Sequence, residues 1–183
     1  MVPKFKPEIA LLPIIEFHPF MVETAYDYLK TVTTSKHERG FIRETLGALA
    51  IEIILKSYIA KANRNFQQLD ERYEINWIKR PSDSHNLKCL AENLPPIIKS
   101  YLLDKEDEEV IESHQDAFKN SRYCYERKAK NFYSDDPIRL AEKLICKTIH
   151  LYREQGCNDP FIKSFDVNKL YFSIVQNFLL IKL

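Results

Sequence analysis

Between Phe41 and Ala62 the chain reads FIRETLGALAIEIILKSYIAKA, its most apolar long stretch. Apolar residues recur at Ile42, Leu46, Leu49 and Ile53 and, in an overlapping row, at Ala50, Ile54 and Tyr58. The two rows cover more than half of a helical surface, so the spacing predicts a helix over 41–62 enclosed by other helices on several sides. Within it stands a carboxylate, Glu52, between Ile51 and Ile53.

The flanking segments divide by the same periodicity. Pro3, Pro7, Pro13 and Pro19 rule out a continuous helix before residue 20 and predict an extended arm, laid over the bundle by Leu11, Leu12, Ile14 and Ile15. Phe20, Ala25, Tyr28 and Leu29 mark a first helix, ended by TVTTSKHERG. The polar stretch from Asn63 to Ser84 reads as irregular, with room for a short helix. Leu87, Leu90, Ala91 and Leu94 give i, i+3, i+4, i+7 spacing behind a cap at Asp83 or Ser84. Pro95–Pro96 ends that helix and starts another, burying Ile97, Ile98, Tyr101 and Leu102. Acids lead and bases close the next segment, from Asp104 to Phe132, in the order that complements a helix dipole; Val110, His114, Ala117, Phe118 and Cys124 or Tyr125 are its inward candidates. Asp136–Pro137 opens a helix through Ile138, Ala141, Leu144, Ile145, Thr148 and Tyr152 that stops at Gly156. Asp159–Pro160 repeats the start signal, and the rows Leu170, Ile174, Phe178 and Tyr171, Val175, Leu179 make the tail helical. The expected fold is all-α: a largely antiparallel bundle of about five to seven helices in one domain over 1–183.

Composition narrows this further. Three glycines in 183 residues are few for a protein of tight hairpins. With 27 basic and 26 acidic residues, any grip on nucleic acid must be local. The four cysteines, Cys89, Cys124, Cys146 and Cys157, show no C-x-x-C, so neither a structural zinc nor a disulfide framework is expected, and no cofactor is implied. His18, His37, His114 and His150 have no metal-site spacing, and glycines for a phosphate loop are missing. No apolar run has bilayer-spanning length, and the first residues lack a signal-peptide pattern, which makes a cytoplasmic protein the expectation, with no membrane partner.

Three pieces then stand in order: ALAIEIILKSYIAK, HNLKCLAENL and FKNSRYCYE. Together they resemble the HEPN superfamily of small helical domains, frequent in prokaryotic toxin–antitoxin and defence systems. The similar pieces are an A-x-E-x-x-L-K pattern, an H-x-L-x-x-L helix start and an R-Y pair, and the likeness covers about residues 20–130, with further helices over 136–183. Many members are metal-independent ribonucleases in which an arginine holds phosphate and a histidine after a short polar gap moves a proton, often across a dimer interface. Here no histidine follows Arg122, which departs from that pattern. Arg80 and His85 have the spacing but straddle a proline-containing turn.

Each candidate has a structural counterpart. His85, placed in the first turn of its helix, could take a proton from a ribose 2′-hydroxyl beside an arginine, or its ring could hydrogen-bond the connection to a neighbouring helix. Glu52 must be paired or neutralised if buried: with Arg122 as a register-fixing ion pair, or with Lys56 one turn on; in the functional account Arg122 reads a phosphate or nucleotide. Arg122, Tyr123, Tyr125, Arg127, Lys128 and Lys130 compose a basic, aromatic patch of the kind that binds single strands, and equally an ordinary helix C-terminus. The leading expectation is a non-catalytic HEPN-like module that forms a homodimer or docks on a partner protein, with binding of a nucleotide or RNA end through Arg122. The alternative is a metal-independent endoribonuclease using Arg80 and His85, or Arg122 with a histidine from another segment.

Overall fold

The computed structural model describes Ile9, residues 12–34, 39–66, Gln68, residues 70–75, 84–118, Tyr125 and residues 133–171. They form a mostly helical domain with one two-stranded hairpin. In chain order come α1 (Pro19–Thr34), α2 (Gly40–Ser57), β1 (Lys61–Arg64), β2 (Arg72–Glu74), α3 (Leu87–Glu92), α4 (Pro96–Leu102), α5 (Lys105–Ser113), α6 (Asp136–Glu154) and α7 (Pro160–Ser164).

The expected central helix is central. α2 packs against α1, α3 and α6, with Ala50, Ile51, Ile54 and Leu55 fully buried. Each of the larger three, Ile51, Ile54 and Leu55, contributes about 1.5–3 kcal/mol by leaving water. The rod is shorter than the apolar pattern implied, because it stops at Ser57 and Lys61–Arg64 becomes a strand. β1 pairs antiparallel with β2, Lys61 opposite Glu74 and Ala62 opposite Tyr73, with an irregularity before Arg64 opposite Arg72. Residues 63–64 and 72–74 of the stretch expected to be irregular belong to this hairpin. The row Ile42, Leu46, Leu49, Ile53 is only half-buried; the opposite side of the helix, with Gly47 and Ile51, meets the densest packing.

α6 matches its periodicity closely: Ile138, Ala141, Leu144, Ile145, Thr148 and Tyr152 are all buried, and Gly156 follows at φ +87°. Gly47 lets α6 approach α2 closely, since an added Cβ would lie 2.8 Å from the Ile138 amide nitrogen. At the same end Arg43 clamps Asp135 with two bonds of 2.9 Å. Lys147 covers the end of α4 by donating to the carbonyls of Tyr101 (2.9 Å) and Leu102 (2.8 Å).

Residues 12–18 are neither helix nor strand and pack Leu12, Ile15 and Phe17 on the core, but Ile14 is 91% exposed, contrary to expectation. Gln155 ties this segment down through the Ile15 amide (3.1 Å) and the Pro13 carbonyl (2.8 Å). His18 adds a 2.8 Å bond between its Nδ1 and the Ser57 carbonyl at the end of α2. Ile97, also expected inward, is 44% exposed, and of the alternatives Cys124 and Tyr125 the second is 79% exposed. Leu11, Asp83, Cys124 and the rows after Tyr171 lie outside the described residues. Among those described, no helix is long and apolar enough to cross a membrane.

Glu142 faces inward from α6, where burial lifts its carboxyl from an ordinary 4.5 to about 7, against the lowering charge of Arg139. The same burial, and then Glu142 itself, pushes the Cys146 thiol up to about 12. Between pH 4.5 and about 7 the folded chain holds a proton here that the unfolded chain releases, so stability falls as pH rises through that window. Glu142→Gln should therefore be more stable than the natural chain by about 2–3 kcal/mol at pH 8 and no more stable at pH 4. Urea titrations at the two pH values read this directly; a gap independent of pH would contradict it.

Candidate functional site

Two of the predicted residues, Glu52 and His85, meet. Glu52 lies on the α3-facing side of α2 with its side chain 5% exposed. Its Oε1 receives the Lys56 Nζ at 2.6 Å and faces the His85 Nδ1 at 3.0 Å, with Oε2 at 3.2 Å from the same nitrogen. A carboxylate accepts hydrogen bonds, so Nδ1 is the donor in this contact, and Nε2 on the other edge of the ring makes no hydrogen bond among the described residues. The His85 side chain is 43% exposed, unlike that of its partner.

Local sequence explains why the ring is held. Asn86, not Asp83 or Ser84, caps α3 by accepting from the Cys89 amide at 2.8 Å. His85 thus precedes the cap and is not in the first helical turn. The Asn86 amide group also donates to Gln115 (3.4 Å) and Asp116 (3.3 Å), and the Leu87 amide donates to the Gln115 carbonyl at 3.0 Å. These bonds bring residues 84–87 against the turn after α5, where Phe118 stacks on the His85 ring with centroids 4.9 Å apart at 23°. A carboxylate at one edge and an aromatic face beneath restrict the imidazole to one orientation.

A second acid on α2 escaped the sequence reading. Glu44 is 1% exposed, accepts from the Ser134 amide at 3.2 Å, and lies 4.0 Å from the Nε2 of His114. His114 is the C-cap of α5, and its Nδ1 is 2.9 Å from the Val110 carbonyl. Eight positions separate Glu44 from Glu52, a little over two helical turns, so both acids point broadly to the same side. The available signal was that spacing within an apolar helix.

No family model, curated protein or solved structure matches this chain. The residues must speak through their own geometry. Arg80, Arg122, Tyr123, Arg127 and Lys128, proposed from sequence to hold phosphate or nucleotide, lie outside the described residues. Glu52 is answered by Lys56 and His85. Of the pairings weighed for Glu52, the i, i+4 bond to Lys56 is present, but burial makes it more consequential than the exposed pair that spacing alone implied. Among the described residues no group of three His, Cys, Asp or Glu side chains converges to hold a metal ion.

Proposed function

We propose that His85, oriented by Glu52, is the acid–base group of a metal-independent ribonuclease of HEPN type. The 3.0 Å bond from the ring to a buried carboxylate carries this reading, because a half-exposed imidazole that donates from Nδ1 presents Nε2, unbonded among the described residues, as the proton acceptor. In the reaction, Nε2 takes the proton of a ribose 2′-hydroxyl and the 2′-oxygen attacks the adjacent phosphorus. The bond from phosphorus to the 5′-oxygen breaks, leaving a 2′,3′-cyclic phosphate. The departing oxygen gains a proton from the imidazolium or from water. Glu52 faces the positive charge that develops on the ring, and an arginine such as Arg80 or Arg122 would meet the phosphate. The resemblance to HEPN domains supplies RNA as substrate, and with it a toxin–antitoxin or defence setting.

Incubation of the chain with structured RNA in EDTA is the test. Cleavage leaving cyclic phosphate ends, reduced about 100-fold or more in His85→Ala, is expected. RNA that stays intact at high protein concentration would overturn it. The second reading, a non-catalytic module that dimerises or docks on a partner, would then stand. It draws on Glu52 also binding Lys56 and on His85 stacking against Phe118, contacts that by themselves make a structural joint.

A further inference from the structure

Away from Glu52 and His85, the hairpin carries a charge arrangement that its own stability does not explain. On its exposed side Lys61 stands opposite Glu74, an attractive pair, but Arg64 stands opposite Arg72. The irregularity between Ala62 and Arg64 produces this second pairing. With Asn63 as an extra residue, Arg64 keeps to the exposed side that Lys61 occupies, away from half-buried Ala62 and Tyr73. Side chains directly opposite on one face lie about 5 Å apart at Cβ, and like charges there destabilise the ladder. Neither guanidinium has a carboxylate partner among the described residues. The nearby acids are engaged: Asp70 accepts from the Asn65 side chain at 2.8 Å, Glu74 from that of Asn63 at 3.1 Å, and buried Glu71 from the Tyr73 hydroxyl at 2.7 Å. Beyond Arg64 the turn is ordered by bonds from the Gln68 amide to the Asn65 carbonyl (3.0 Å) and from the Glu71 amide to the Gln68 carbonyl (3.1 Å). In that turn Phe66 is 64% exposed.

We propose that this hairpin grips single-stranded RNA, with Arg64 and Arg72 on phosphates and Phe66 stacked on a base. A phosphodiester strand supplies the negative charge that the two guanidiniums lack, and arginine meets phosphate with paired N–H donors. The exposed ring decides between partners. Single strands are held by basic surfaces whose aromatic side chains stack on unpaired bases, whereas a run of carboxylates offers a phenyl ring nothing. A duplex, whose bases are already stacked on one another, leaves the ring equally idle. A chain of balanced charge suits a local grip of this kind. The choice of RNA over DNA rests on the ribonuclease reading given above; the grip on a single strand does not.

Fluorescence anisotropy of a labelled 2′-O-methyl oligonucleotide of about 12 nucleotides, titrated with the full chain, tests this. The probe has no 2′-hydroxyl to attack, so it is bound without being cut. Binding should saturate and weaken steeply as salt rises. The double variant Arg64→Thr, Arg72→Thr should lose about tenfold or more in affinity while its Tm stays level or rises, since the like charges do not stabilise the hairpin. Phe66→Ala should lose about tenfold through the missing stack. No saturable binding at about 100 μM protein, unaltered affinity in either variant, or a lower Tm in the arginine variant would each overturn the proposal. So would a duplex of the same sequence that binds as tightly. Polyglutamate that displaces the probe as well as unlabelled strand does would make an acidic protein the partner instead, and would also overturn it. Loss of the grip leaves the cleavage test untouched, and RNA left uncut leaves the grip untouched.

Discussion

Replacing Gly47 by alanine destabilises the fold by about 2–3 kcal/mol, although the exchange favours an isolated helix by about 1 kcal/mol. The new Cβ would meet main-chain atoms of the first turn of α6, 2.8 Å from the Ile138 nitrogen and 2.9 Å from the Pro137 carbonyl carbon, with Ile138 Cγ1 at 3.1 Å. Main chain cannot rotate aside as a side chain can, so the two helices must separate along their contact. That motion also loosens the clamp of Arg43 on Asp135 and the buried Leu144 and Ile145 behind it. Urea unfolding of Gly47→Ala against the natural chain gives the sign. A stabilised variant would mean that α2 and α6 are farther apart than described.

Glu52→Ala has the other large effect, a loss on the order of 3–5 kcal/mol. It strands the Lys56 ammonium, 15% exposed, without its carboxylate and leaves the His85 ring without its Nδ1 acceptor. The cost comes mainly from uncompensated charge, so the double variant Glu52→Leu, Lys56→Met should recover most of the stability by filling the space with hydrocarbon. It should not recover RNA cleavage, because nothing then fixes the tautomer of His85. Stability measured by urea and cleavage measured in EDTA must therefore part company across these two variants. If cleavage returns with stability, Glu52 only supports the fold and has no role in orienting the base.

Much of the architecture was readable in the chain. The periodicity of α6 gave its buried face from Ile138 to Tyr152, and Asp159–Pro160 gave the start of α7, because local caps and a single apolar stripe determine such helices with little help from elsewhere. Where several structures satisfy the same pattern, the reading went astray. The apolar run through Ala62 suits a helix or a strand, and hairpin pairing with Arg72–Glu74 decided for the strand after Ser57. Asp83, Ser84 and Asn86 are all good caps, and anchoring of Asn86 to Gln115 and Asp116 selected the last.

The candidate site was legible as residues and not as a constellation. His85 and Glu52 were each singled out, but for separate partners, since the 33 positions between them carry no spacing rule. Glu44 and His114 were not connected for the same reason, and Gly47 gave no sign that it marks the closest approach of two helices. By itself the sequence determined that the chain is mostly helical, which face of α6 turns inward and that a buried acid on α2 needed a partner, for these follow from local propensity and the avoidance of water by apolar groups. Only the tertiary structure decided which cation and which imidazole meet that acid, because contacts between distant segments depend on how whole helices pack, and side-chain volume and close backbone approach set that packing.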